Sequence, residues 1–144
     1  MIGAMRTTLS DLLASKRVLL ADGATGTNYF EAGLTSGEPP EFWNIDRPAE
    51  VTGLHQRFVD AGADIILTNT FGCNPHRLKL HNAQDQAYEL AKRAAELARS
   101  VADQATRPIV VAGSVGPTGE LFEPMGTLTK AAALASFGTQ LKGL

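Results

Sequence analysis

Three short apolar runs, none of them alternating with polar residues, constrain the fold of this chain more than any other feature. They stand at residues 18–21 (VLLA), 65–67 (IIL) and 109–112 (IVVA). A strand that is apolar on both faces belongs in a sheet covered on both sides, and such sheets are usually parallel. The runs therefore predict three parallel strands in an α/β fold.

The stretch between the first two runs has the period of an amphipathic helix. Over residues 48–62 an apolar face is formed by Val51, Leu54, Phe58 and Val59. Pro48 suits a first helical turn and Gly62 suits a helix stop, and we expect Asp46 or a neighbour to cap the start. This pattern predicts a helix that packs against the sheet.

Two further helices are predicted downstream. A long apolar stripe covers residues 83–105, where Asn82 and Asp85 have the spacing of a cap and its third residue, and Glu89 and Arg93 that of an exposed ion pair. The last stripe, which predicts a helix to the end of the chain, consists of Leu134, Phe137, Leu141 and Leu144. With a helix ahead of the first strand, the predicted order is one helix and then three strand-helix units.

The strands recur at a nearly constant interval. Val18, Ile65 and Ile109 stand 47 and 44 residues apart, whereas a unit of an eight-unit (β/α) barrel takes about 30 residues. The excess lies mostly in the loops after the strands, at the end where parallel α/β folds carry their chemistry. Since three strands cannot close a barrel that needs about eight, barrel units here predict the N-terminal part of a longer protein.

Composition argues against several classes of protein. The chain has 144 residues and a net charge of -2, with acids and bases interspersed, so it lacks a basic stripe for nucleic acid and a polybasic patch for a membrane. No apolar stretch is long enough to span a bilayer, and the N-terminal segment lacks the apolar core of a signal peptide. The single cysteine, Cys73, excludes an intrachain disulfide, and we expect a cytoplasmic protein.

Each predicted strand ends in a loop of small and polar residues, at 22–27 (DGATGT), 68–72 (TNTFG) and 113–120 (GSVGPTGE). The free N–H groups and hydroxyls of such loops can bind an anionic or zwitterionic ligand, although any one loop could equally serve as a tight strand exit. No P-loop lysine and no G-x-G-x-x-G pattern is present, which argues against nucleotide binding. Together the loops predict one polar rim at the carboxyl edge of the sheet.

Several other side chains are assigned no catalytic role. Cys73, His76 and His81 have C-x₂-H-x₄-H spacing, but a structural zinc site needs four ligands. His55 shares the apolar face of its helix, as a hydrogen-bonded core or interface histidine does, and Trp43 lies in a long loop as a lid or a cover for the rim. Four loop carboxylates define no acid-base pair from sequence alone: Glu38, Glu41, Glu120 and Glu123.

The three loop motifs in combination resemble the homocysteine S-methyltransferase family, whose members are zinc-dependent barrel enzymes. The D-G-A-x-G-T turn of that family stands at residues 22–27, its T-N-T-F-G strand end at 68–72 and its G-P-T-G-E loop at 116–120. The resemblance extends from about residue 18 to the end of the chain. It implies that residues 1–144 are one partial homocysteine-binding domain, the N-terminal part of a (β/α)₈ barrel.

The resemblance also implies a substrate site. In the family the first turn helps to hold the amino-acid part of homocysteine, which makes Asp22, Gly23 and Ala24 candidates for substrate contact, with Asn69 and Thr70 beside them. The reaction implied is methyl transfer to the homocysteine thiol. Betaine, S-methylmethionine and a methylated corrinoid or folate system are all compatible as the methyl donor.

The zinc ligands of the family are absent from this sequence. Members bind zinc through three cysteine thiolates, two of them in a G-G-C-C pair, and Cys73 matches none of these positions. Because zinc lowers the pKa of the substrate thiol and so provides the attacking thiolate, we predict that the chain supplies substrate-binding loops and is inactive alone. One alternative is a free-standing α/β binding or interaction module whose open sheet edge is covered by self-association or by another protein. Another is metal-free binding of phosphorylated ligands by the glycine loops.

Overall fold

The computed structural model describes residues 6–144, which form helices packed around a small parallel sheet. The two strands are β1 (Ile65–Leu67) and β2 (Val110–Ala112). Single 3-10 turns lie at Pro40–Phe42, Lys79–His81 and Gln84–Gln86. The α-helices are α1 (Leu9–Ser15), α2 (Gly26–Glu31), α3 (Trp43–Asp46), α4 (Pro48–Asp60), α5 (Pro75–Leu78), α6 (Ala87–Gln104) and α7 (Lys130–Gly143).

The sheet confirms a parallel arrangement but not all of the predicted strands. β1 and β2 pair in parallel, with Ile65 opposite Val110 and Leu67 opposite Ala112. The prediction of a full strand at 18–21 was wrong. Within residues 6–144 this segment forms a single parallel bridge, from Ala21 to Ile65. β1 therefore lies between this segment and β2.

The segment at 18–21 is held both by backbone hydrogen bonds, from the Asp64 and Ile65 N–H groups to the Leu20 carbonyl, and by an acidic side chain. Asp64 accepts the Leu20 N–H through Oδ2 at 3.1 Å, and Lys16 and Arg107 pair with its Oδ1 at 2.5 and 3.3 Å. The hydrogen bond from Lys16 is the main reason why the pKa of Asp64 is lowered. Val18 remains 77% exposed, so its apolar character does not lead to burial here.

Helix α4 begins at Pro48 as predicted and ends at Asp60. The predicted cap was wrong, because Arg47 occupies the capping position and no side chain bonds the free N–H groups. Gly62 follows the helix with φ of 104°, a left-handed conformation that favours glycine. His55 is buried on this helix as predicted, but neither of its ring nitrogens has a hydrogen-bond partner in the part of the chain that is described.

Helix α6 starts four residues later than predicted. Asn82 adopts a left-handed conformation that ends the preceding 3-10 turn, so it cannot cap α6, which begins at Ala87. The predicted Glu89–Arg93 pair does not form. Arg93 Nη1 instead lies 3.4 Å from Glu96 Oε2.

Helix α7 forms as predicted but buries a different face. Its buried side chains are Ala133, Ser136 and Gln140, whereas Leu134 and Leu141 are exposed. The reason is close packing on α6: a Cβ at Gly143 would lie 2.9 Å from the Ala91 Cβ. Small and polar residues fit such an approach and leucine does not.

Trp43, which the sequence suggested as a lid or a cover for the rim, is part of the hydrophobic core. Trp43 is fully buried, packs on Tyr29 with ring centroids 5.1 Å apart, and lies under the Arg47 guanidinium at 4.1 Å. A lid must be able to move away from the site, so the lid interpretation is wrong. No helix within residues 6–144 is both long and apolar enough to cross a bilayer.

Candidate functional site

A cavity of about 710 Å³ opens where β1 and β2 end. Its lining includes Asp22 and Gly23 of the first turn, Asn69 and Thr70 after β1, and Ser114 after β2. Four of the five predicted substrate-contact residues therefore line one space. The fifth, Ala24, lies between lining residues but does not line the cavity itself, and the loop at 116–120 also stays outside the lining.

The wall formed by the end of β1 is closed by hydroxyl groups. Thr70 Oγ1 donates to the Ser114 carbonyl at 2.7 Å, and the Ser114 N–H donates to Thr68 Oγ1 at 3.0 Å. Since the Thr70 proton is used in this way, Thr68 is the donor in the 2.6 Å bond between the two hydroxyls. This cycle fixes the ends of the two strands relative to each other.

Asn69 ties the same wall to the segment before α4. Its Nδ2 donates to the Pro40 carbonyl at 2.8 Å and to Asn44 Oδ1 at 3.0 Å. Asn44 Nδ2 returns a bond to the Asn69 carbonyl at 2.9 Å. Both amides are buried, and this pairing satisfies groups that would otherwise be costly to desolvate.

A residue that sequence reasoning missed supports this wall from behind. Gln140, buried on α7, donates from Nε2 to the Thr70 carbonyl at 2.6 Å and to the Ser114 carbonyl at 3.2 Å. A polar residue at helical spacing from Ala133 and Ser136 was the available signal. It could not be interpreted without knowing which face of α7 is buried.

The first turn is much more open. Asp22 is half-buried, and its Oδ2 accepts the Leu67 N–H at 2.8 Å. Burial raises the pKa of the Asp22 carboxyl, and the hydrogen bond from Leu67 partly opposes that rise. The N–H groups of residues 23–25 have no acceptor within the described chain, so they remain available as donors to a ligand.

The metal-like spacing of Cys73, His76 and His81 does not produce a site. Cys73 is buried, which raises the pKa of its thiol, and His76 Nδ1 bonds Ser136 Oγ at 2.8 Å. Among residues 6–144 no three His, Cys, Asp or Glu side chains are grouped so that they could hold a metal ion. The zinc implied by the resemblance thus does not fit these residues.

Sequence comparisons agree with the resemblance. The family model described as homocysteine S-methyltransferase matches residues 19–144. The methionine synthase of Mycobacterium leprae is 39% identical over 123 residues, and that of Mycobacterium tuberculosis is 37% identical over 124 residues. These matches cover 78% and 80% of this chain but 10% of either relative, so the chain spans about a tenth of the length of the curated relatives that it matches.

Structural comparisons give the same relationship for the fold. The metallated form of the homocysteine methyltransferase MmuM from Escherichia coli matches with a TM-score of 0.78 and 23% identity, over 92% of this chain and 51% of that one. Its oxidised form matches with a TM-score of 0.64 and 27% identity, over 77% and 41% respectively. With the family match over most of its length, the chain belongs to the homocysteine S-methyltransferase family.

Proposed function

We propose that this chain is the substrate-binding part of a (β/α)₈ methyltransferase that transfers a methyl group to the thiol of homocysteine. Family membership supports the reaction class. The observation that carries the proposal is the shared cavity, because the first turn and the end of β1, which hold two of the three family-like motifs, both line it. A volume of about 710 Å³ leaves room for an amino acid and a small methyl donor.

The two walls have different parts in this proposal. Asp22 holds the first turn against β1 through the Leu67 N–H, and the free N–H groups from Gly23 onward bind the substrate carboxylate. Asn69 offers Oδ1, which has no hydrogen bond within residues 6–144, while the Thr70 hydroxyl is used to hold the strand ends. Ala24 belongs to the same turn and is assigned no direct contact.

Activation of the thiol is not assigned to any residue described. The zinc that the family resemblance implies would need ligands other than those of residues 6–144. We therefore propose that the chain binds homocysteine without methylating it. Neither the reaction nor the geometry selects the methyl donor.

Calorimetric titration of the chain with L-homocysteine tests the proposal. Asp22→Ala should weaken binding by about tenfold or more, equivalent to about 1.4 kcal/mol, because the turn loses its tie to β1. Asp85→Ala, which removes an exposed carboxylate outside the cavity, should bind as the wild type does. Failure of the wild type to bind homocysteine would refute the proposal. In a longer protein that carries zinc, Asp22→Ala should leave the zinc content unchanged.

The exposed apolar segment beside β1 favours a second candidate function. Val18 is 77% and Leu20 54% exposed, as expected for a module whose sheet edge is covered by a second copy of the chain. Sedimentation of the wild type and of Leu20→Lys separates the two functions. A dimer that Leu20→Lys dissociates, without homocysteine binding, would favour the interaction module, and a monomer that binds homocysteine would contradict it.

A further inference from the structure

Glu41 places a buried carboxylate in the wall of the cavity. It lies in the 3-10 turn Pro40–Phe42, lines the cavity and is only 4% exposed. Its Oε1 accepts the Gly72 N–H at 2.6 Å. A Cβ at Gly72 would lie 2.8 Å from this oxygen, so any other residue there would displace the carboxylate.

The charge of this carboxylate has no counterpart in the part of the chain that is described. Glu41 Oε2 makes no hydrogen bond there, and no Lys, Arg or His forms an ion pair with Glu41. Removing a charge from water is costly unless it is paired. Acceptance of one N–H does not explain the charge, because a neutral glutamine oxygen would serve equally well.

The surroundings of Glu41 contain charges of both signs, but neither basic side chain of the cavity lining, Arg77 or His81, forms an ion pair with it among the described residues. Asp22 and Glu38 also line the cavity, and Glu38 is held by the Trp43 indole N–H at 3.0 Å. The negative charge of Glu41, added to the larger effect of burial, raises the pKa of both Tyr29 and Cys73. A low-polarity pocket with an uncompensated carboxylate attracts a cation.

We propose that Glu41 is the cation-binding residue of this cavity, and that its free carboxylate oxygen receives the positively charged head group of a ligand. The group is an ammonium or a methylated onium ion. It can come from homocysteine, through its amino group, or from a methyl donor with an onium centre. The choice between these two ligands rests on the proposed function. The proposal that Glu41 binds a cation is independent of that function.

A variant and a set of probes test this inference. Glu41→Gln retains an acceptor for the Gly72 N–H and removes the charge, and Glu89→Gln removes an exposed carboxylate outside the cavity as the matched control. Calorimetry would compare L-homocysteine with 4-mercaptobutanoate, which lacks the amino group. If the cation is the substrate ammonium, Glu41→Gln should lose about tenfold or more in homocysteine affinity and leave 4-mercaptobutanoate unchanged.

Two further probes identify the alternative source of the cation. If the group belongs to the methyl donor, Glu41→Gln should weaken binding of betaine or S-methylmethionine and leave homocysteine unchanged. In the wild type, the Gly72 amide signal in NMR spectra should shift with whichever cation binds, because its N–H is bonded to Glu41. This measurement does not depend on the folding of any variant.

The outcomes separate the cation site from the proposed function. Glu41-dependent binding of n-propylammonium or tetramethylammonium by a chain that does not bind homocysteine would support the cation site and refute the homocysteine function. Equal binding of every cationic probe by wild type and Glu41→Gln would overturn the inference. So would a Gly72 signal that no cationic probe moves.

Discussion

The two walls of the cavity are built in opposite ways. At the end of β1, Thr68, Asn69 and Thr70 are buried, and their polar groups bond to one another and to neighbouring segments. In the first turn, Gly23 and Ala24 are exposed and their N–H groups have no acceptor within residues 6–144. Apart from Asn69 Oδ1, the polar side-chain groups of the β1 wall are used in hydrogen bonds that fix its shape, whereas the first turn keeps N–H donors available for a ligand.

This difference between the walls indicates which residues position the site and which can contact a substrate. The β1 wall is connected to α3 through Asn44, to the loop after β2 through Ser114, and to α7 through Gln140. The first turn is tied to β1 through Asp22. Substitutions in the β1 wall should therefore affect stability first, whereas those in the turn should mainly affect binding.

Asn44→Leu should have the largest effect, because it breaks the most connected point of the β1 wall. It leaves Asn69 Nδ2 with one acceptor fewer and the carbonyls of Asn69 and Leu90 without the Asn44 donor. A loss of about 3 kcal/mol in the free energy of unfolding is expected for such buried unsatisfied groups. Urea denaturation would measure it.

The matched change in the open wall is Asn28→Leu. Asn28 Nδ2 donates to the Ala24 carbonyl at 2.6 Å in an exposed position, where water can replace it. A loss below about 1 kcal/mol is expected. Equal losses in the two variants would remove the proposed difference between the walls.

Thr70→Val tests the hydroxyl cycle with a smaller perturbation. Valine keeps the shape but cannot donate to the Ser114 carbonyl or accept from Thr68. We expect a loss of about 1–2 kcal/mol in unfolding free energy and weaker homocysteine binding, since the strand ends can move apart. Thr139→Val is the control, because its hydroxyl bonds the Ala135 carbonyl within α7. A Thr70→Val protein as stable and as competent in binding as the control would show that the cycle is dispensable.

The sequence predicted those parts of the molecule that depend on local patterns. The apolar runs gave β1 and β2 because short aliphatic segments need cover on both faces. Pro48 marked the start of α4, since proline fits a first turn. The loops after the strands were expected at one edge because parallel strands end on the same side, and the cavity lies there.

The parts that depend on partners distant in sequence could not be predicted. Asn44 and Gln140 are buried only because Asn69 and the ends of β1 and β2 receive their amide groups. The stripe of leucines in α7 was misleading, since close approach to α6 buries its smaller residues. Glu41 gave no sequence signal beyond its charge, because its neighbour Gly72 lies 31 residues away.

Asp22→Asn should give the smallest change in stability, one that depends on pH. Burial raises the pKa of Asp22 above its usual 3.8, so the folded protein binds this proton more tightly than the unfolded chain does. The resulting stabilisation is present below about pH 4 and is lost as the pH rises through the raised pKa. Asparagine keeps an acceptor for the Leu67 N–H and carries no charge, so the variant should gain stability relative to wild type between about pH 4 and pH 7.

Urea denaturation across this pH range would measure the difference in unfolding free energy between variant and wild type. Asp85→Asn is the control at an exposed position, and its difference from wild type should not change with pH. The Asp22→Asn substitution should change the affinity for homocysteine more than it changes the stability, because the first turn presents the free N–H donors. A gain in wild-type stability over Asp22→Asn as the pH rises would mean that the turn stabilises the charged carboxylate. The first turn would then be as preorganised as the β1 wall, and the contrast between a fixed wall and an open one would fail.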